Sequence, residues 1–227
     1  SITTEVLVIG AGPGGYVAAI RAAQLGKEVL LVEREKKLGG VCLSAGCIPT
    51  KALIHASNFF HTIKDLEWMG IDVKNYSVDL NKMINWKDGI IDKLESGIKT
   101  LCTKNGVEVI EGKAVFTSKN SVRIEGKTDV NEIKFKQCII ATGSLTMELP
   151  SFKFDGESII SSTEALGLKE IPKKIVIIGG GYIGTEMGTV FGKLGAEVHI
   201  VEFTDRLISV IEEDLVSVVA NKLKEFN

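Results

Sequence analysis

No apolar stretch in the 227 residues reaches the ~18 that a membrane-spanning helix needs. Neither sign of charge dominates, because 27 basic and 29 acidic side chains leave a net charge of −2. The first absence argues against a membrane span. The second removes the electrostatic case for binding nucleic acid or an anionic membrane surface. The opening residues Ser-Ile-Thr-Thr-Glu-Val have neither the basic nor the apolar region of a secretion signal. Histidine is scarce, and packing or surface roles are expected for His55, His61 and His199, since a catalytic reading of any of them needs a partner. What remains is 44% hydrophobic and 25% charged, the composition of a soluble globular protein with one large or two modest domains.

Glycine is in excess. The 24 glycines are about one and a half times the ordinary ~7% frequency, and most of the excess is clustered in motifs. Glu5 to Ile9 is a short β-branched apolar run, expected as a buried parallel strand. Gly10-Ala-Gly12-Pro13-Gly14-Gly15 follows, then a helix carrying Val17, Ile20, Ala23 and Leu25 and ended by Gly26. Glu28 to Val32 reads as a second strand, closed by the acid Glu33. Glycines at this spacing allow a tight turn and bring backbone close to a pyrophosphate at a helix N-terminus, and the acid accepts from ribose hydroxyls. The spacing alone is weak; strand, helix and acid together make a dinucleotide fingerprint.

The pattern recurs late in the chain, where Gly179 answers to Gly10. Lys174 to Ile178 is expected as strand and Gly179-Gly-Gly181-Tyr182-Ile183-Gly184 as turn. Thr185 to Leu194 reads as helix and Glu197 to Val201 as strand. Glu202 then stands as far beyond Gly184 as Glu33 does beyond Gly15. Two dinucleotide sites in one chain suit electron transfer, with a donor and an acceptor site facing each other. A helical pattern begins near Glu212 and the chain stops at Asn227, so the second half of the second domain is expected to be missing and the chain to be a fragment.

Just after the first fingerprint, Leu38 to Lys51 holds Cys42 and Cys47 with four residues between them. A regular helix turns about 100° and rises about 1.5 Å per residue, which puts the two on different faces more than a turn apart. A disulfide needs Cα atoms roughly 4.4–6.8 Å apart, so pairing requires a break in the helix, which Gly46 permits. From Pro49 the sequence reads as helix. Cys47 then lies near a helix start, where N–H groups and the dipole favour a thiolate, and Lys51 adds positive charge on the same face. A structural disulfide or two buried thiols is the plain alternative. Gly39 and Gly40, the missing secretion signal and the neighbouring fingerprint favour a redox pair.

Between the two copies, Tyr76 to Thr103 holds a long helical pattern with Asp79 as N-cap, its Met and Ile stripe expected in the core. Val107 to Phe135 reads as a small antiparallel meander with turns at Lys119-Asn120 and Glu125-Gly126-Lys127. Cys138 to Ser144 reads as a separate strand ending in a small-residue turn. Cys102 and Cys138 are expected as buried, unreactive thiols. Pro150 to Pro172 is expected as a connection with a short helix near Thr163–Leu166.

The segment Gly39-Gly-Val-Cys-Leu-Ser-Ala-Gly-Cys-Ile-Pro-Thr-Lys51, with the two fingerprints, resembles the first half of dihydrolipoamide dehydrogenases, members of the flavoprotein disulfide reductase family. The resemblance covers the whole chain. Ser44-Ala45 and Thr50 depart conservatively, and Leu43 and Ile48 are closer to the lipoamide enzymes than to glutathione or mercuric reductases. The implied fold is α/β, with two Rossmann-like dinucleotide-binding domains. Residues 1–149 would bind FAD, carry the meander and lack a C-terminal return segment; residues 150–227 would be the first part of an NAD domain. The implied FAD residues are Gly10, Gly12, Pro13, Gly14, Gly15, Glu33 on the adenosine ribose, Gly40, Val41, Cys42, Lys51, Gly112, Ala114 and the turn Ala141-Thr142-Gly143-Ser144. Gly179, Gly181, Tyr182, Ile183, Gly184 and Glu202 would hold NAD, Glu202 favouring NAD over NADP because a carboxylate repels a 2′-phosphate.

The catalytic roles are likewise implied by the resemblance. Cys42 would exchange with lipoamide, Cys47 would lie by the flavin, and Lys51 would pair with Glu186 in a water-poor cleft. The family also needs a His–Glu pair and a later Gly-Asp segment that are not in this sequence, so no turnover is expected of the chain alone. No metal is implied. Implied partners are lipoyl domains of 2-oxoacid dehydrogenase or glycine cleavage complexes and, in the full-length parent, a second copy. The expected location is cytoplasmic, or the mitochondrial matrix if a transit peptide was removed. The alternatives are another disulfide reductase on this scaffold and a non-catalytic nucleotide-binding fragment.

Overall fold

The computed structural model describes residues 1–63, 66–126 and 128–226. The expected turn residue Lys127 and the terminal Asn227 lie outside the described residues. The chain divides into two compact units, 1–48 with 90–147 and 49–89 with 148–227. Among the described residues no helix is long and apolar enough to cross a membrane.

The first unit is built on a six-stranded sheet. β1 (Ile2–Ile9) is central, with β2 (Val29–Glu33) parallel on one side, joined through α1 (Pro13–Gln24). β3 (Glu108–Glu111) adds parallel to β2. β4 (Lys113–Ser118), β5 (Ser121–Glu125) and β6 (Glu132–Ile140) follow, giving the order β3-β2-β1-β6-β5-β4. β6 runs parallel to β1 and antiparallel to β5, and β4 is antiparallel to β5.

Two sequence expectations need correction here. The antiparallel meander begins at Lys113, because β3 is instead a parallel edge strand of the main sheet. Phe135 and Cys138 also belong to one strand, since β6 closes the meander with its first residues and continues beside β1 with the rest. Register explains this: Ile133 pairs with Ile2 and with Val122, whereas Ile140 pairs only with Ile9.

β1 is apolar on both faces because it is covered on both. Val6 and Val8 point into a core with Ala19 of α1 and with Ile91, Ile98 and Cys102 of α4 (Leu80–Lys104). Leu7 and Ile9 point the other way, into a core closed by Val122, Ile124, Ile133 and Phe135 of the meander. Asp79 caps α4 as expected, its Oδ1 accepting the Lys82 N–H at 3.0 Å. That bond holds the Asp79 carboxyl below its usual range.

The second unit has a two-stranded parallel sheet, β7 (Lys174–Ile178) with β8 (Glu197–Val201), joined through α6 (Tyr182–Lys193). Ile175, Ile177 and Val198 pack on a core of Met187, Val190, Phe191 and Leu194, joined by Leu53 of α3 (Cys47–Ile63). The short α5 (Ser162–Ala165) starts in a capping box between Ser161 and Glu164. The buried Lys87 Nζ donates to the Leu166 carbonyl at 3.0 Å, which ties the start of α4 to the end of α5. The final helix, α7 (Glu213–Leu223), buries Val216.

Candidate functional site

The first fingerprint forms a turn that only glycine fits. Gly10 has φ +97°, and a Cβ there would lie 2.3 Å from the Ala141 carbonyl oxygen. A Cβ on Gly15 would lie 1.7 Å from the Gly10 carbonyl oxygen, so the start of α1 is seated directly on the turn. Gly12 caps α1 and Pro13 opens it, leaving the first-turn N–H of Gly14 directed along the helix axis as in anion-binding termini. The turn after β6 closes the other side: the Ala141 N–H donates to the Ile9 carbonyl at 2.8 Å, and Thr142 and Gly143 continue from it, with Ser144 exposed.

Glu33 ends β2 and is nearly buried. Its Oε2 accepts the Ala11 N–H at 2.6 Å and its Oε1 the Glu35 N–H at 3.0 Å. The Gly112 N–H donates to the Glu33 carbonyl at 2.7 Å. A Cβ on Gly112 would lie 2.5 Å from Ile124, while Ala114 stands in β4 opposite Ile124. These residues therefore assemble around the carboxyl ends of β1 and β2.

The cysteine segment returns to the same turn. The Gly39 N–H donates to the Ala11 carbonyl at 2.8 Å. Gly40, at φ +63°, approaches Gly12 so closely that a Cβ would lie 2.6 Å from the Gly12 Cα. The short α2 (Gly40–Ser44) carries the exposed Val41 and the half-buried Cys42, then stops at Ala45. Gly46 folds back, its Cβ position 3.5 Å from the Cys42 Cα, and the exposed Cys47 opens α3. The helix break expected at Gly46 is thus present. Sequence reasoning missed what holds the loop: the buried Glu95 of α4 accepts the Leu38 N–H at 3.3 Å and the Lys99 ammonium at 2.7 Å. Burial pushes the Cys102 and Cys138 thiols up, consistent with unreactive roles.

The second unit repeats the turn. Gly179 has φ +106°, its N–H donates to the Val201 carbonyl at 2.8 Å, and a Cβ on Gly184 would lie 2.0 Å from the Gly179 carbonyl oxygen. Gly181 caps α6, whose first residues Tyr182 and Ile183 are exposed. Glu202 Oε2 accepts the Gly180 N–H at 2.6 Å, and Oε1 accepts both the N–H and the hydroxyl of Thr204 at 2.8 Å. The Thr204 donors, followed by Gly180, push the Glu202 carboxyl down to about 2.

Within this unit α3 and α6 are joined by two side-chain rungs, Lys51 with Glu186 and Asn58 with Lys193. The Lys51–Glu186 pair is present, with the lysine side chain 61% and the glutamate side chain 28% exposed. His55 packs against Phe59, His61 against Phe226, and His199 bonds Glu197, all three in the packing or surface roles expected. Among the described residues no cluster of side chains suits a metal ion.

The arrangement is matched from residue 4 to residue 227 by the model of the pyridine nucleotide-disulphide oxidoreductases. The chain belongs to that family. A dihydrolipoyl dehydrogenase of Bacillus subtilis is 50% identical over 224 residues, 99% of this chain and 47% of the relative. One from Geobacillus stearothermophilus is 47% identical over 225 residues, again 99% of this chain and 47% of the relative. Among solved structures, the HOCl-induced flavoprotein disulfide reductase RclA from Escherichia coli superposes with a TM-score of 0.81 at 28% identity, over 97% of this chain and 47% of that one. The chain spans about half the length of the relatives it matches. The likeness to the N-terminal half of dihydrolipoyl dehydrogenases is therefore sound at the level of sequence and fold.

Proposed function

We propose that this chain is the flavin- and disulfide-bearing half of a dihydrolipoamide dehydrogenase, with residues 1–149 serving FAD and 150–227 beginning an NAD domain. The observation that carries the reading is the seating of Gly40 on Gly12, which sets the Cys42 helix directly against the first dinucleotide turn. The turn fits a dinucleotide: Gly12 is open apart from Gly40, α1 presents its N-terminus, and Glu33 is fixed at the strand end where a ribose binds. In the second copy nothing lies within 4 Å of a Cβ on Gly179 or Gly181, which leaves the approach to α6 open.

In this reading Cys42 and Cys47 form a disulfide when oxidised. A dihydrolipoamide thiolate attacks Cys42, releases Cys47 as thiolate, and the second substrate thiol then displaces Cys42 to give lipoamide and the reduced pair. FAD held at the Gly10–Gly15 turn and Glu33 would supply a two-electron acceptor for that pair, and NAD held at the Gly179–Gly184 turn a hydride acceptor. Lys51 holds a positive charge one helical turn beyond Cys47 and is itself oriented by Glu186. Partners are lipoyl domains of 2-oxoacid dehydrogenase or glycine cleavage complexes and a second copy in the full-length parent, in the cytoplasm.

The thiol titre tests this without requiring turnover. The oxidised chain should show two thiols when denatured, from Cys102 and Cys138, and four after dihydrolipoamide with excess dithiol removed. Cys42→Ser should abolish the increase. A titre of four in the oxidised chain, or no response to dihydrolipoamide, would overturn the reading.

A further inference from the structure

The segment that carries Cys42 is entered through two glycines that do not fix its direction. Gly39 has φ +106° and Gly40 φ +63°. Glycine visits such angles as readily as negative ones, so backbone preference leaves the entry to the five-residue α2 open. Three contacts set it instead. The Gly39 N–H donates to the Ala11 carbonyl at 2.8 Å, Gly40 seats on Gly12, and the Leu38 N–H donates to Glu95 Oε1 at 3.3 Å. The first two are backbone contacts. The third is a side chain reaching in from α4.

Glu95 is placed for that reach. Its side chain is 9% exposed, whereas that of Lys99, one turn on, is 55% exposed. A carboxylate so covered is destabilising unless its oxygens are bonded. The Lys99 ammonium lies 2.7 Å from Oε1, with glutamate N-terminal to lysine in the favourable i, i+4 order. Nearer the start of α4, Asp92 Oδ1 accepts from the Lys37 ammonium at 2.6 Å. The helix therefore grips two consecutive residues, Lys37 and Leu38, immediately before the glycines. The Leu38 side chain is buried in the same core as Ile91 and Ile98 of α4. A displacement at Leu38 passes through the short α2 to Cys42, four residues on.

We infer that Glu95 is a positioning residue for the Cys42–Cys47 pair: by holding the Leu38 N–H it sets where α2 places Cys42 for closure with Cys47. This rests on the reading of Cys42 and Cys47 as a redox pair. In closure the Cys47 thiolate attacks the Cys42 sulfur of a mixed disulfide with the substrate. The bond to the substrate sulfur breaks, and dihydrolipoamide leaves as a thiolate that takes up the proton Cys47 gave up. A Cys42 held within reach raises the effective concentration of one thiol for the other, so loss of the hold favours the dithiol.

The test equilibrates the 227-residue chain with mixtures of lipoamide and dihydrolipoamide, quenches with acid, alkylates and counts thiols by mass. Glu95→Asp keeps the charge and withdraws the oxygen from Leu38. It should shift the equilibrium about 3–10-fold toward the dithiol, the scale of one hydrogen bond, tenfold being about 30 mV for a two-electron couple. Glu95→Gln keeps the oxygen and drops the charge, and should stay within about 2-fold of the wild type because the acceptor is retained. Val122→Ala loosens the core on the other face of the sheet and should also stay within about 2-fold, as an independent site. An unchanged equilibrium in Glu95→Asp, or an equal shift in Glu95→Gln or in Val122→Ala, overturns the inference while leaving the redox reading intact. A wild-type chain that forms no disulfide at any ratio overturns both.

Discussion

The two copies of the strand–turn–helix–strand unit agree in their turns and differ in their faces. Both sheets pair in the same register, Val6 with Val29 in one and Lys174 with Glu197 in the other. Both bring the loop after the second strand back to the turn, by Gly39 N–H to the Ala11 carbonyl at 2.8 Å and Ile208 N–H to the Gly180 carbonyl at 2.9 Å. Yet Leu7 is 0% exposed where its counterpart Val176 is 57% exposed, and Val32 is 1% exposed where Val201 is 55%. The meander covers that face in the first copy, and in the second it faces outward. In both copies the dinucleotide turn is built from glycine sterics and a carboxylate clamp.

The largest expected contrast tests the difference between the two faces. Leu7→Ala should cost about 2–5 kcal/mol in urea unfolding, because it leaves a cavity between sheet and meander. Val176→Ala at the counterpart position should stay within about 0.5 kcal/mol, as for other exposed sites. Equal losses would mean that the outer face of β7 is covered in solution.

A smaller contrast concerns the loop return. Gly39 has φ +106°, and a Cβ there would lie 2.1 Å from the Leu43 side chain; Ile208 occupies the matching place with φ +45°. A β-branched residue is rare at such an angle. Gly39→Ile should cost at least about 2 kcal/mol through strain and overlap. Ile208→Gly should lie within about 1 kcal/mol of neutral, relief of strain offsetting the entropy of the added glycine. The same urea transitions measure both, and a large loss in Ile208→Gly would show that its side-chain packing outweighs the strain.

The smallest effect distinguishes the Glu202 clamp by pH. A carboxyl held at about 2 when folded, against about 4.5 when unfolded, contributes stability that is complete above pH 4.5. That contribution declines as pH falls from 4.5 toward 2. Glu202→Gln should therefore flatten the acid limb of the stability profile in that window and alter little at neutral pH beyond a constant offset. An acid limb of unchanged slope would show that the clamp does not persist in solution.

Much of this was legible in the residues. The limits of β7 and β8, the cap at Asp79, the break at Gly46 and the two strand-end acids follow from short-range rules, whereas α6 begins at Tyr182, three residues before the helix start read at Thr185. The function of the cysteine segment came through its likeness to a family rather than through spacing, which leaves a structural disulfide open. The split role of β6 was not legible, because an alternating strand looks the same whether its neighbours are parallel or antiparallel. Nor was the Glu95 hold on Leu38, since a glutamate on an amphipathic helix ordinarily faces water.

The sequence by itself determined the repeat, the turns and the acids that close them, because each depends on the allowed φ/ψ of glycine and on donors within a few residues of an acceptor. Tertiary structure alone decided which strands share a sheet, that the first copy has two cores, and that Lys51 and Glu186 meet across 135 residues of chain. Those contacts join segments that no local preference links: loop-closure entropy opposes them, and only the packing of whole faces repays it.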